Sequence, residues 1–445
     1  MRRTFSMGGV HPHDCKISAD SAIETFPLPQ RMYISMSQHL GAPAKPVVQK
    51  GDKVRTGQLI GASAGFISAN IHSSVSGTVV AVEPYADLAG NPVMHVVIDV
   101  EGDEWEESID RTPDIVRDIP LFPGEIIKSI ANCGVVGLGG ASFPTHVKLS
   151  PPPGKRAEFL IINGAECEPY LTSDYRLMVE HTEEVLLGAR IMMRALGVTK
   201  GYIGIEDNKP EAIRMMRELT AASYPEIEVV SLRKKYPQGG EKQLIDAVTG
   251  RRVPSMGLPI DAGVVVQNVG TSFAVYEAVQ KNKPLFEGVM TVTGECLDTQ
   301  HNFLLRVGTP FEKILEAVGG VPQQAAKIVS GGPMMGKAVS NLAAASVKST
   351  SSLLLLTERQ TRRREEGECI RCGRCVQACP MGLEPYLLNK LARAGRMEDL
   401  ELNKVYDCIE CGCCMFTCPA YIPLLDHIRT AKADVMRIMR SRPKK

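Results

Sequence analysis

The sequence predicts a multidomain chain of mixed α/β plus α+β class, and three observations lead there. The chain is 445 residues long, enough for about three units that each bury a core. Its patterning runs from short β-branched segments between Gly and Asp turns, to alternating strands and helices, and back to short strands. Nine of its 13 cysteines then crowd between 369 and 418.

Composition narrows the function classes. Lys+Arg 51 against Asp+Glu 50 leaves a net charge of +1, which gives no sign of a nucleic-acid partner. The start, MRRTFSMGGVHPHDCK, has two arginines but no apolar run after them, so no signal or transit peptide is expected. The longest aliphatic stretch is Leu353 to Leu356, far below the ~20 residues of a spanning helix, so a soluble or peripheral protein is expected. Many thiols without a secretory signal point to a reducing compartment, where clustered cysteines hold metal. Cys15, Cys133, Cys167 and Cys296 are scattered and read as small buried apolar residues.

Residues 42–83 alternate β-branched runs with turns, predicting several short strands that close on themselves. The layout G-D-x-V-x-x-G-Q-x-I followed by I-H-S-x-V-S-G-T-V resembles the barrel-sandwich hybrid of lipoyl and biotinyl domains. Those domains carry their cofactor on a lysine at the hairpin tip; Gly65 to Ile71 has no lysine, which disfavours a swinging arm. Residues 101–119 are acidic and without period, as in a linker. Glu158 to Asn163 is an apolar strand, His181 to Leu196 a helix closed by Gly197, Tyr202 to Glu206 a strand, and Pro210 opens another helix. That alternation predicts an α/β layer with a largely parallel sheet. From about 256 to 345 short strands surround one helix, Pro310 to Val318, predicting a small α+β insert; a charged segment, Glu358 to Glu368, leads into the cysteine-rich end.

That end repeats C-x2-C-x2-C-x3-C-P, first as Cys369, Cys372, Cys375 and Cys379-Pro380, then as Cys408, Cys411, Cys414 and Cys418-Pro419. Three thiolates at this spacing wrap one face of a cubane cluster, and the fourth cysteine reaches the other cluster. Two 4Fe-4S clusters are therefore expected, one held by Cys369, Cys372, Cys375 and Cys418, the other by Cys408, Cys411, Cys414 and Cys379. Zinc ribbons also use C-x2-C pairs, but the duplicated run with both prolines favours iron and sulfide. Cys413 is out of register and is expected to pack beside a cluster, and the helix Leu387 to Ala394 to act as a spacer.

Cys133 to Lys148 is a glycine-rich loop with Gly137, Gly139 and Gly140. Such loops let backbone amides approach a phosphate or a flat ring, with Lys148 as a compact charge, although glycine-rich turns are also often structural. Ile162 to Pro169 leaves a strand and places Asn163, Glu166 and Glu168 at the carboxyl edge of a sheet, where α/β folds bind ligands. Carboxylates there can instead be solvated or cap a helix. Tyr236 to Glu241, and Gln267-Asn268 with Thr271, add further glycine and polar groups.

In this order G-x-G-G-A-x-F-P-T-x-x-K, N-x-x-E-x-E-P, Y-x-x-G-x-E and N-V-x-T resemble the FMN- and NADH-binding subunit of respiratory complex I. With GGVHP at Gly8 to Pro12, the barrel and the paired ferredoxin motifs, nearly the whole chain resembles the RnfC family, the C subunits of Rnf electron-transport complexes. The resemblance implies a barrel-sandwich hybrid over 1–105, an FMN/NADH-binding domain over 115–255, a β-grasp SLBB domain over 256–345 and a two-cluster ferredoxin domain over 346–445. It implies that Gly137, Gly139, Gly140 and Lys148 cradle the flavin phosphate and ring. Asn163, Glu166, Tyr236, Gly239, Asn268 and Thr271 would line the flavin, and Glu168 and Glu241 would face the dinucleotide. Ser142, Ala165 and Gly240 depart from the complex I protein, which has glycine, aspartate and glutamate there.

Nicotinamide exchanges two electrons at once and each cluster takes one, so a flavin between them makes joint sense of the two cofactor sites. The expected activity is electron passage between ferredoxin-linked clusters, FMN and NAD(H) in an ion-translocating ferredoxin:NAD+ oxidoreductase, with no general base. Family resemblance implies a peripheral subunit on the cytoplasmic face of the inner membrane, partnered by the membrane subunits and by ferredoxin, directly or through another cluster-bearing protein of the complex. Arg359, Arg362, Arg363, Arg364, Arg371 and Arg374 beside the first motif suit an acidic partner. The basic tail from His427 to Lys445, with Ile428, Val435, Ile438 and Met439, suits anionic headgroups. Both also read as ordinary solvated helix faces. The alternatives are a flavin and iron-sulfur cobalamin reductase, which generally lacks the barrel start, and a non-enzymatic ferredoxin adaptor with a vestigial flavin site.

Overall fold

The computed structural model describes residues 3–442, so Met1, Arg2 and the last three residues of the basic tail lie outside it. Before any barrel strand forms, the chain crosses other units. Arg3 bridges to Leu232 and Val10 to Tyr236, the Gly9 amide donates to Ala378 O at 2.9 Å, and Ile23–Thr25 adds an edge strand beside His301–Arg306. The GGVHP motif permits this strap: a Cβ on Gly8 would stand 2.4 Å from the Cys379 carbonyl oxygen, and its φ of +66° suits glycine.

The barrel follows as expected. A four-stranded sheet (Arg31–Ser35, Pro92–Val100, Gly77–Ala86, Lys53–Val54) and a three-stranded one (Lys45–Pro46, Leu59–Ala62, Ile71–His72) enclose Met32, Ile34, Ile60, Ile71, Val79 and Ile98. Residues 101–121 form no helix or strand, but Trp105 anchors them by packing edge-on against Phe286 at 5.2 Å, beneath the Arg306 guanidinium.

The α/β layer is a fully parallel sheet ordered Ile227–Leu232, Gly201–Glu206, Phe159–Gly164, Val264–Asn268. Its two inner strands carry the apolar runs Phe159 to Ile162 and Ile203 to Ile205, and helices cover both faces. Pro123–Asn132, Thr182–Leu196 and Val269–Gln280 pack on one side, and Glu241–Thr249 on the other.

Two expected domain limits are corrected. Val264–Asn268 and the helix after it, expected within the 256–345 insert, belong to the α/β layer, because the Val264-Val265-Val266 run is buried and pairs in parallel with Phe159–Gly164. Ser352–Thr357, expected in the cluster domain from 346, is an inner strand of the β-grasp sheet, between Glu287–Thr293 and Ala325–Ser330. Its four leucines are buried, as an inner strand demands.

Short helices build the C-terminal unit around Leu388, Leu400, Val405, Ile428 and Val435. The tail expectation is corrected there: Ile428 and Val435 of the helix Leu424–Ser441 fill this core, so they cannot face headgroups. Among the described residues no helix is long and apolar enough to cross a membrane.

Candidate functional site

Parallel pairing sets Asn163 opposite Asn268 where both strands leave the sheet. The Asn163 side-chain amide donates to Gly239 O at 2.8 Å, and its oxygen accepts from the Ala165 amide. Asn268 is the N-cap of Val269–Gln280, accepting from the amides of Gly270 and Thr271 and donating to Asp174 Oδ2 at 2.7 Å. The Thr271 hydroxyl accepts from the Leu138 amide at 2.9 Å, which moors the glycine-rich loop on this edge. Gly137, Gly139, Gly140, Asn163, Gly239, Asn268 and Thr271 thus share one edge.

The local geometry suits an FMN cradle. A Cβ on Gly139 would stand 2.9–3.0 Å from the Asn268 side chain, while one on Gly140 would meet open space. Two side-chain groups around the same elements are buried with no partner, Gln267 Nε2 and Thr145 Oγ1. A glycine-rich loop beside a strand edge, with spare polar groups on the same elements, fits a flavin mononucleotide.

Other expected site residues are placed differently. Lys148 Nζ donates to Glu241 Oε1 at 2.7 Å and to Val266 O at 2.9 Å, so the lysine expected at the phosphate and the carboxylate expected at the dinucleotide form one ion pair. Glu166 caps the helix Ser173–Glu180, accepting from the Asp174 and Tyr175 amides, and is nearly buried beside Lys16. Glu168 does not look onto an open edge. Its carboxylate accepts from the Met334 and Met335 amides of the β-grasp unit, and burial pushes it up to about 7 despite those bonds. The Tyr236 hydroxyl donates to Cys411 O at 2.9 Å, toward the second cysteine set. Ser142 holds a φ of +53°, a conformation that costs a non-glycine residue about 1–2 kcal/mol.

Two residues were missed from sequence. Asp174 partners Asn268, and burial together with the charge of Glu166 pushes it up to about 7; its only signal is an acid in a helix first turn. Lys16 Nζ donates to the carbonyls of Glu166, Glu168 and Leu171, so the N-terminal strap shapes the acidic loop. No local pattern announces that contact.

Cys375 lies close enough to Cys418 for their charges to interact, and so do Cys379, Cys408, Cys411 and Cys414 among themselves. After burial and hydrogen-bonding effects, Cys375 is raised by Cys418, and Cys379 by Cys411. Cys408 is pushed up to about 11, mainly by burial, with Cys411 and Cys379 adding to it; Cys414 rises with the same neighbours. Four thiols crowded in a partly buried site resist ionising together, and cationic iron would supply the missing charge. Among the described residues no three or more ligating side chains stand ready to share a single ion. Cys369 and Cys372 are exposed, whereas Cys379 and Cys411 are buried. Cys413 is buried beside them, its thiol 3.8 Å from Tyr236 O.

Residues 130–277 match the Nuo51 FMN-binding domain family, 4–103 the RnfC barrel sandwich hybrid domain, 289–338 the SLBB domain and 362–419 the 4Fe-4S dicluster domain. The chain is 47% identical over 388 residues to the C subunit of the proton-translocating ferredoxin:NAD(+) oxidoreductase complex of Clostridium ljungdahlii, covering 87% of this chain and 84% of that protein. It is 43% identical over 430 residues to the C subunit of the Na(+)-translocating ferredoxin:NAD(+) oxidoreductase complex of Acetobacterium woodii, covering 96% of each. A solved NAD+-reducing NiFe-hydrogenase in its H2-reduced state superposes with a TM-score of 0.50 at 18% identity, over 76% of this chain and 70% of that one, a likeness of fold alone.

Proposed function

This chain belongs to the RnfC family, the C subunits of ion-translocating ferredoxin:NAD(+) oxidoreductase complexes, and on that premise we propose that it passes electrons from the exposed cysteine set, through the buried set and FMN, to NAD(H). The observation that carries the reading is the contact of Tyr236 with Cys411, which joins the flavin layer to the buried cysteine set. FMN, when bound, supplies the conversion between two-electron and one-electron transfer. The chain's own residues position. Gly139 leaves the space, Asn163 and Asn268 orient polar groups at the sheet edge, and Tyr236 fixes the spacing to the second set. No side chain needs to take a proton from substrate.

In the same reading the protein is a peripheral subunit on the cytoplasmic side of the inner membrane, held by other members of the complex. Electrons enter at the exposed Cys369 and Cys372, delivered by ferredoxin directly or through another cluster-bearing protein of the complex. Arg362, Arg371 and Arg374 stand exposed beside that entry. The barrel favours this family over a cobalamin reductase.

Anaerobic purification with iron, sulfide and flavin analysis tests the reading, followed by NADH-dependent dye reduction. About eight irons per chain, one FMN and dye reduction are expected. Zinc in place of iron would remove the electron-carrier role, and iron with no NADH-dependent reduction would leave an adaptor.

A further inference from the structure

Three units meet at Glu168. Its Oε2 accepts from the Met334 amide at 3.0 Å and its Oε1 from the Met335 amide at 2.8 Å, so successive amides of the β-grasp loop 331–336 grip one carboxylate. Approach is close enough that a Cβ on Gly332 would stand 2.2 Å from Oε2. Tyr236 OH lies 3.5 Å from Oε1 and donates to Cys411 O. On the far side of the loop, Met334 O is 3.3 Å from where a Cβ of Gly412 would sit, between Cys411 and Cys413. Met334 packs in one apolar cluster with Cys411, Cys413, Val10 and Tyr236.

The loop therefore lies over the Cys411 end of the second cysteine set, and Glu168 holds it down. Cluster potentials depend on solvent access and nearby charge. We propose that Glu168 is a positioning residue for electron transfer: by pinning loop 331–336 over the set Cys379, Cys408, Cys411 and Cys414 it fixes the reduction potential of the cluster held there, and it does not bind the dinucleotide. This rests on the reading that the set holds a 4Fe-4S cluster. Losing the cover admits water, which stabilises the extra negative charge of the reduced state, so the potential rises.

The test uses the full chain, reconstituted anaerobically, with Glu168→Ala, Glu168→Gln and Gly332→Ala. Gly332→Ala displaces the loop while keeping the carboxylate, and carries the test if Glu168→Ala fails to fold. Redox titration followed by electron paramagnetic resonance reads both clusters, and dye reduction reads the KM for NADH. Expected is a rise in one midpoint only, on the order of tenfold in the equilibrium or about 59 mV, in Glu168→Ala and Gly332→Ala. Glu168→Gln should be intermediate and KM unchanged. A raised KM with both midpoints unmoved would make Glu168 a nucleotide ligand and overturn the proposal, as would no change in either. Wild-type protein without iron overturns the cluster reading itself, and with it this inference, and iron analysis shows that before any variant is made.

Discussion

Gly139 comes so near Asn268 that a methyl group on the glycine would touch the asparagine side chain at 2.9–3.0 Å. Asn268 at the same time caps its helix and holds Asp174. Loop, cap and half-buried acid are therefore in direct contact.

Gly139→Ala should displace Asn268 and weaken FMN binding at least tenfold, while Asn268→Ala should also cost about 1 kcal/mol of helix stability. Flavin fluorescence titration of the apoprotein and thermal melts check this. An unaltered flavin affinity in Gly139→Ala would remove the glycine loop from the site.

Crossed ligation would make paired cysteine losses depend on which two are paired. Cys418→Ala should lower iron from about eight to about four per chain, and adding Cys369→Ala should lower it no further. Adding Cys408→Ala to Cys418→Ala should bring it near zero. If Cys418→Ala with Cys408→Ala instead retains the iron of either single variant, the two motifs do not exchange their fourth ligands.

Lys348 donates to Asn70 O and Gly134 O, each at 2.7 Å, and burial lowers its pKa to about 7. Between that value and the 10.5 of an ordinary lysine, the unfolded chain holds a proton that the folded chain resists. Stability from this group therefore rises with pH across the window, with a slope approaching about 1.4 kcal/mol per unit. Lys348→Met should flatten the slope, at the cost of two unmet buried carbonyls. Denaturant midpoints for both proteins at pH 7, 8 and 9 check it, and parallel slopes would reject it.

Arg362, Arg363 and Arg364 stand exposed beside the exposed Cys369, and Arg363 meets Asp426 at 3.4 Å. Replacing Arg359 and these three with Gln should slow ferredoxin-linked reduction severalfold at low salt, and flatten its dependence on ionic strength, because screening acts over about 10 Å at 0.1 M. An unchanged salt slope would place the acidic partner elsewhere.

By itself the sequence determined what is local. Ligand spacing in the two cysteine runs follows from a few consecutive residues wrapping one cluster face, and the barrel, the strand Phe159–Gly164 and the helix Thr182–Leu196 follow from short-range period and turn residues. Tertiary structure alone decided which strands pair. Period 2 or an apolar run marks a strand but not its partner, so nothing in the apolar runs Val264-Val265-Val266 and Leu353 to Leu356 shows which sheet they complete. The same holds for side chains. Glu166 and Glu168 sit two residues apart at one strand end, yet one caps a helix and the other grips a loop about 166 residues later in the chain, because a carboxylate taken out of water must find donors, and only the fold brings those donors within reach.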